Sequence, residues 1–199
     1  GLLTLGRKIG ESSHLTLRYR YENQRLRNVE TEEPPEELKP QIRSITFGFN
    51  SDTRNNIFNA IRGRYVDLSY ELAGSFLEGT DAFNRLTVDT RFFSSVLSNT
   101  VLATSLEIGW MDIFGAEGGI PLNERFYTGG PNSLRGFGYQ KAGPADSDGN
   151  PLGGRFKIVW NGELRQALWR WVGVAAFVDI GNVWRDIRKF NIEETRFAL

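Results

Sequence analysis

Glu163, Asp179 and Arg135 are the side chains whose types and spacing could build a site. Glu163 lies in Asn161-Gly162-Glu163-Leu164-Arg165 and Asp179 in Phe177-Val178-Asp179-Ile180-Gly181-Asn182-Val183-Trp184. Both stretches alternate between apolar and polar residues. Counting parity along them puts Glu163 on the polar side with Lys157, Asn161 and Arg165, and Asp179 on the inward side of its own stretch. Two carboxylates facing one interior suit a guanidinium, whose planar fork can serve two acids while staying charged. A loop folded over that face would deliver Arg135, from Ser133-Leu134-Arg135-Gly136-Phe137, between them. Gly136 would let the backbone approach the wall closely or take a positive φ. This is the chemistry of a lock: breaking a partly buried pair of this kind costs about 3–5 kcal/mol, chiefly by stranding the remaining charge. In the alternative reading Arg135 caps an exposed turn and the two acids merely hydrate an interior.

Catalytic and metal chemistry find little support. The chain has no cysteine, which excludes a thiol nucleophile, a disulfide scaffold and thiolate metal sites, and His14 is its one imidazole. Ser133 sits in GGPNSLRG, which is not the G-x-S-x-G nucleophile elbow. Gly129-Gly130 and Gly153-Gly154 could form anion-binding nests, but no P-loop or dinucleotide pattern accompanies them, so they read as turns. Asp146-Ser147-Asp148-Gly149-Asn150 resembles a calcium loop yet lacks the spaced ligands and terminal glutamate of an EF-hand. The residues therefore imply no catalytic group, no metal and no cofactor. Lys and Arg total 24 and so do Asp and Glu, giving zero net charge and no basic footprint for a nucleic acid.

The elements that position these residues follow a period of two. Leu15, Leu17, Tyr19 and Tyr21 interleave with Thr16, Arg18, Arg20 and Glu22. The same alternation recurs at Ile45–Phe47–Phe49, Val66–Leu68–Tyr70–Leu72, Leu86–Val88–Phe92, Leu102–Leu106–Ile108–Trp110, Ile158–Trp160–Leu164 and Val174–Ala176–Val178–Ile180. Period two over such stretches is a strand signature, and the fold class is all-β and antiparallel. The longest apolar run, residues 172–178, is too short for a membrane helix, which needs about 20 residues.

Two β architectures fit. Strands that cross a membrane need about 9–11 residues, longer than the usual 5–6 of soluble sheets. The stretches here are long, and their polar faces carry Arg18, Arg20, Asp67, Glu71, Arg85, Asp89, Arg91, Glu107 and Lys157, as a watery barrel interior would. A soluble sheet with one wet face gives the same alternation. The connections favour the barrel: residues 28–40 are long, acidic and Pro-rich, residues 51–62 intermediate, residues 74–82 a Gly-containing loop, residues 94–99 short, residues 114–154 very long and residues 167–171 a tight turn, so short turns lie on one side and long loops on the other. Trp160, Trp169, Trp171 and Trp184 stand at or near the inferred strand ends, as an interfacial girdle or as core. Glu32, Glu33, Glu36 and Glu37 around Pro34-Pro35 read as a solvated loop.

The long loop contains Phe126-Tyr127-Thr128-Gly129-Gly130 followed by Leu134-Arg135-Gly136-Phe137. Here the chain resembles the Omp85 superfamily, also called the bacterial surface antigen D15 family, whose long extracellular loop folds into the barrel and ends in an arginine-glycine-aromatic tip. Leu134 stands where that tip usually has valine. The stretches around Glu163 and Asp179 resemble the two strands after the loop. Asp52-Thr53-Arg54-Asn55-Asn56 with Arg62-Gly63 resembles a turn on the opposite side of the membrane. The resemblance covers about residues 50–185. It implies a transmembrane β-barrel, here a partial one of about eight to nine strands over residues 1–199, in the outer membrane of a Gram-negative cell. It implies a non-enzymatic role in inserting or translocating other proteins. The partners would be the lipid bilayer, client outer-membrane or secreted proteins, and periplasmic proteins bound to POTRA domains. Arg135 would be locked to Glu163 and Asp179, with Gly129 and Gly130 supporting the loop. Family barrels have sixteen strands preceded by POTRA domains, so the POTRA domains and closing strands are expected to lie outside this stretch of a longer polypeptide. A barrel anchor or pore for a fused secreted enzyme domain, and a soluble β-sandwich, are the alternatives.

Overall fold

A computed structural model describes residues 1–23, 41–74, 77, 82–114 and 120–199. Among these, nine strands form one antiparallel sheet in chain order: β1 (Leu2–Ile9), β2 (Ser13–Asn23), β3 (Gln41–Asp52), β4 (Gly63–Ala73), β5 (Phe83–Leu97), β6 (Thr100–Ile113), β7 (Phe156–Trp169), β8 (Val172–Trp184) and β9 (Arg196–Ala198). Every strand pairs with its sequence neighbour, so the architecture is an up-and-down meander, a partial open barrel and not a sandwich of two packed sheets. Short connections close one end, at residues 10–12, 98–99 and 170–171; the residue 53–62 turn joins them there, and the longer connections gather at the other end.

Alternation fixes which face each side chain takes, because successive residues of a strand point to opposite faces. The pairs Leu17↔Phe47, Phe47↔Tyr70 and Val88↔Ile108 share the outer face, where Leu17, Phe47 and Tyr70 remain exposed. Opposite pairs Asp67↔Asp89 and Asp89↔Glu107 share the inner face. The apolar core lies inside, near the long-loop end, where Ala73, Phe83, Met111 and Ile120 pack together with Ile113 and Phe126.

Several boundaries differ from the periodicity. β1 is a full strand in register with β2 from Leu2↔Arg20 to Ile9↔Ser13, although its sequence does not alternate cleanly: Leu2 and Leu3 are adjacent, and Gly6-Arg7-Lys8 interrupts the apolar set. β5 continues through Ser94 to Leu97, with a bulge between Ser95 and Leu97 that absorbs the irregularity before the turn at Ser98-Asn99. Trp169 and Trp171 are highly exposed at the short-turn end, whereas Trp160 sits within β7 on the outer face. Trp184 is buried, its ring 4.9 Å from Phe190 and 5.8 Å from Phe156, so it belongs to a local aromatic core. Residues 28–40 with their glutamates, and most of residues 75–81, lie outside the described residues.

Candidate functional site: a loop seated on the inner wall

The connection between β6 and β7 turns back across the inner face of the sheet. Its return begins with the bridge Phe126↔Gly154, where Phe126 N donates to Gly154 O at 2.9 Å and Gly154 N to Phe126 O at 3.0 Å. The tip folds on itself: Ala142 N donates to Thr128 O at 3.0 Å, Ser133 N to Gly130 O at 3.1 Å, and the Thr128 and Ser133 hydroxyls bond each other. Gly129 takes φ of 108°, and a Cβ there would stand 2.6 Å from Gly138 O, so a side chain at this position would open the tip. Gly136, with φ of 90°, turns the chain immediately after Arg135. Leu134 is fully buried against Ala142 and Val159 of β7, with Phe137 beside them. Asn161 Nδ2 donates to Ser133 O at 2.6 Å.

Arg135 lies against both acids. Its Nε and backbone N each donate to Asp179 Oδ2 at 2.9 Å, and Nη2 donates to Asp179 Oδ1 at 2.7 Å. Nη1 donates to Glu163, whose other oxygen accepts from Arg165 Nε at 2.5 Å. The guanidinium also stacks on the ring of Phe177, 3.7 Å from its centroid. The Asp179 side chain is wholly enclosed, whereas Arg135 keeps 26% exposure toward the lumen. Hydrogen bonds to Asp179, followed by those to Glu163, outweigh burial and push the Arg135 pKa above its already high ordinary value, so the guanidinium is permanently charged. Beneath the tip a cavity of about 490 Å³ is lined by Arg91, Ser105, Glu107, Asn161 and Glu163 among others.

Other sequence candidates take structural places. Gly153 lies under the ring of Tyr127, 2.7 Å from where a Cβ would stand, and Gly154 against Trp184 O, so this pair serves close packing. Asp146 caps its own turn: Oδ1 accepts from Asp148 N at 2.9 Å and from Asn150 N at 2.7 Å, and Oδ2 from Asn150 Nδ2 at 3.0 Å. Asn55 and Asn56 order the residue 53–62 turn in the same way, accepting from the amides of Ile61, Arg62, Phe58 and Asn59.

A second charged cluster escaped the sequence reading. Glu124, in the short 3-10 turn Leu122–Glu124 at the loop's base, accepts from Arg20 Nη1 at 3.1 Å and from Arg85 Nη2 at 2.5 Å. Arg20, Glu71 and Arg85 were recognisable as inward charges, but their loop partner had no motif around it. The one signal was an isolated acid in a loop facing a wall that carries two arginines.

A partial, open antiparallel barrel whose longest loop is drawn inside by buried ion pairs defines a class of β-barrel with a lumen-seated loop. The profile of the Omp85 superfamily domain matches residues 1–198, and the chain belongs to that superfamily. It is 32% identical to the bovine sorting and assembly machinery component 50 homolog over 61% of this chain and 25% of that protein. It is 26% identical to the outer membrane protein assembly factor BamA of Nitratidesulfovibrio vulgaris over 73% of this chain and 19% of that protein. The chain thus spans a quarter or less of the length of these relatives. The crystal structure of BamA from Haemophilus ducreyi lacking POTRA domains 1–3 superposes with a TM-score of 0.77, at 21% identity, over 92% of this chain and 41% of that one.

Proposed function

We propose that this chain forms part of the wall of an outer-membrane barrel that inserts or translocates other proteins. The barrel does this without enzymatic chemistry, and the tip Leu134-Arg135-Gly136-Phe137 is the lock that keeps the loop in the lumen. The apolar outer face meets the lipid, and the membrane is the outer membrane of a Gram-negative cell. Client outer-membrane or secreted proteins are the substrates, and periplasmic proteins bound to POTRA domains assist. The observation that carries the reading is the double engagement of Arg135 by Asp179 and Glu163, which fixes one loop arrangement over the alternatives. The kinship with proteins named as assembly factors supports assembly over a passive anchor for an enzyme. The longer match to the bacterial relative supports the bacterial membrane.

The test is Arg135→Ala in the natural full-length polypeptide, with client assembly and protease resistance of the loop measured together. Both should fall. Unchanged assembly with an unchanged, resistant loop would defeat the reading. POTRA repeats upstream of Gly1 would favour assembly, and a hydrolase domain there would favour the anchor.

A further inference from the structure

Among the described residues, ion pairs hold the loop to the strands at two places, and the second is on a different stretch of wall from the first. Arg135 is taken by β7 and β8, through Glu163 and Asp179. Glu124 is taken by β2 and β5, through Arg20 and Arg85. The Glu124 side chain is only 6% exposed, so this is an enclosed seat and not a surface pair.

The seat is built as an alternating ring of charge. Glu71 of β4 stands between the two arginines, accepting from Arg20 Nη2 at 2.9 Å and Arg85 Nη1 at 3.1 Å, and from Ser44 Oγ of β3 at 2.6 Å. Glu124 closes the ring on the other side, and its backbone oxygen also accepts from Arg85 Nη2 at 2.6 Å. With Glu124 present, Arg20 and Arg85 meet two enclosed carboxylates, and Arg20 also has the more exposed Glu22 at 3.6 Å. With Glu124 gone, the two guanidiniums keep Glu71 as the one enclosed carboxylate they share, an arrangement that burial penalises. The wall therefore has a specific demand for an acid delivered from inside the lumen. Apolar packing seats the same segment: Ile120 is 5% exposed among Ala73, Phe83 and Met111, with Phe126 against them.

We propose that Glu124 is a positioning residue, whose clasp by Arg20 and Arg85 seats the base of the loop on the β2–β5 wall. The loop then spans the lumen as a strut and presents Arg135 to β7 and β8 in the correct register. The anchoring stands on its own geometry; its consequence for client assembly rests on the function proposed above.

The absence of cysteine gives a clean probe. In the full-length polypeptide in lipid, single reporters Ile120→Cys at the base and Leu134→Cys at the tip are exposed to a maleimide, with heat-modifiable migration reporting the folded barrel. Both native side chains are buried, so labelling reads departure of base or tip from the wall. Glu124→Gln should raise labelling at 120 about tenfold or more, the effect of losing a charge-assisted hydrogen bond, and should raise labelling at 134 as well. Unchanged labelling at 120 in a folded barrel overturns the clasp. A rise at 120 with none at 134 overturns the strut, because a merely local role would leave the distant tip untouched. Should Glu124→Gln fail to fold, Arg20→Lys, which keeps charge and drops the fork, must give the same pattern at smaller amplitude, and its absence overturns the proposal. If both sites loosen while client assembly is unaffected, the strut stands and the proposed function falls.

Discussion

The ring of Phe126 fills the space that a side chain at Gly109 would need: its Cε1 and Cζ lie 2.7 Å from where a Cβ would stand. Gly109 is on the inner face of β6, opposite Thr87 and Lys157, so the loop's first returning residue is keyed to a notch in the wall. The notch works only while it is empty. Gly109→Val fills it with a branched side chain that a small swing of the ring does not clear. Overpacking of this kind costs about 1–3 kcal/mol. The strands themselves keep their pairing, so the barrel should fold normally while the loop becomes more sensitive to protease. Loss of the folded barrel, or a loop as resistant as the native one, would contradict this.

Arg135→Lys separates charge from fork. Asp179 takes two side-chain bonds and one backbone bond from Arg135, and Glu163 takes a third from the side chain. An ammonium cannot reach both acids in this planar arrangement, although it keeps the wall neutral. The lysine variant should fall between native and Arg135→Ala in loop protection, each lost charged hydrogen bond being worth about 1.5–3 kcal/mol. Asp179→Asn should be at least as damaging as Arg135→Lys, because Asp179 is the enclosed partner and Glu163 retains Arg165 as well. A lysine variant indistinguishable from native would remove the bidentate geometry from the argument.

The base of the loop has a defined acid response. Burial works to raise the Glu124 pKa, but hydrogen bonds from Arg20 and Arg85 outweigh it and hold the carboxyl below the usual range. A folded-state pKa below the unfolded one contributes stability that is fully present above the unfolded value, about 4.3 for Glu, and is lost as pH falls through the folded value. A spin label at Leu122→Cys, an exposed position in the same turn as Glu124, should therefore keep one line shape from neutral pH down to about 4.3 and become more mobile only below it. In Glu124→Gln that acid transition should disappear, leaving a mobile label throughout. A native transition at clearly higher pH would place control in another group.

The fold was largely legible because period two is a direct consequence of the pleat, and parity carries the inner and outer faces with it. Glu163 and Asp179 fall on the inner face by counting alone, and the structure has them there. β1 was not legible, since its register is imposed by pairing with β2 across Gly6-Arg7-Lys8 and not by its own pattern. Trp184 was ambiguous for a similar reason: residues 185–195, which bring Phe190 over it, carry no period that would announce a cover. Glu124 was invisible because its two partners, Arg20 and Arg85, come from β2 and β5, and only the ring of charge they close with Glu71 distinguishes it from any other loop acid.

Neighbouring residues of β6 give a direct test of which face meets lipid. Leu106 points outward beside Trp160, and Ser105 points inward, bonding Asn161 Oδ1 at 2.9 Å on the wall of the lumen cavity. A lysine at either position adds the same charge to the same strand one residue apart. On the inner face it meets a polar cavity lined by Glu107 and Glu163 as well as Arg91, Arg135 and Arg165, so Ser105→Lys stays out of hydrocarbon and should leave membrane assembly of the barrel near native. On the outer face the ammonium must enter hydrocarbon, at a cost of about 2–4 kcal/mol near the bilayer midplane. Leu106→Lys should therefore lower the folded fraction recovered in lipid vesicles, and more steeply in thicker bilayers that place residue 106 deeper. Equal recovery of the two variants would mean that the outer face is not immersed, and the membrane reading of this sheet would have to be abandoned.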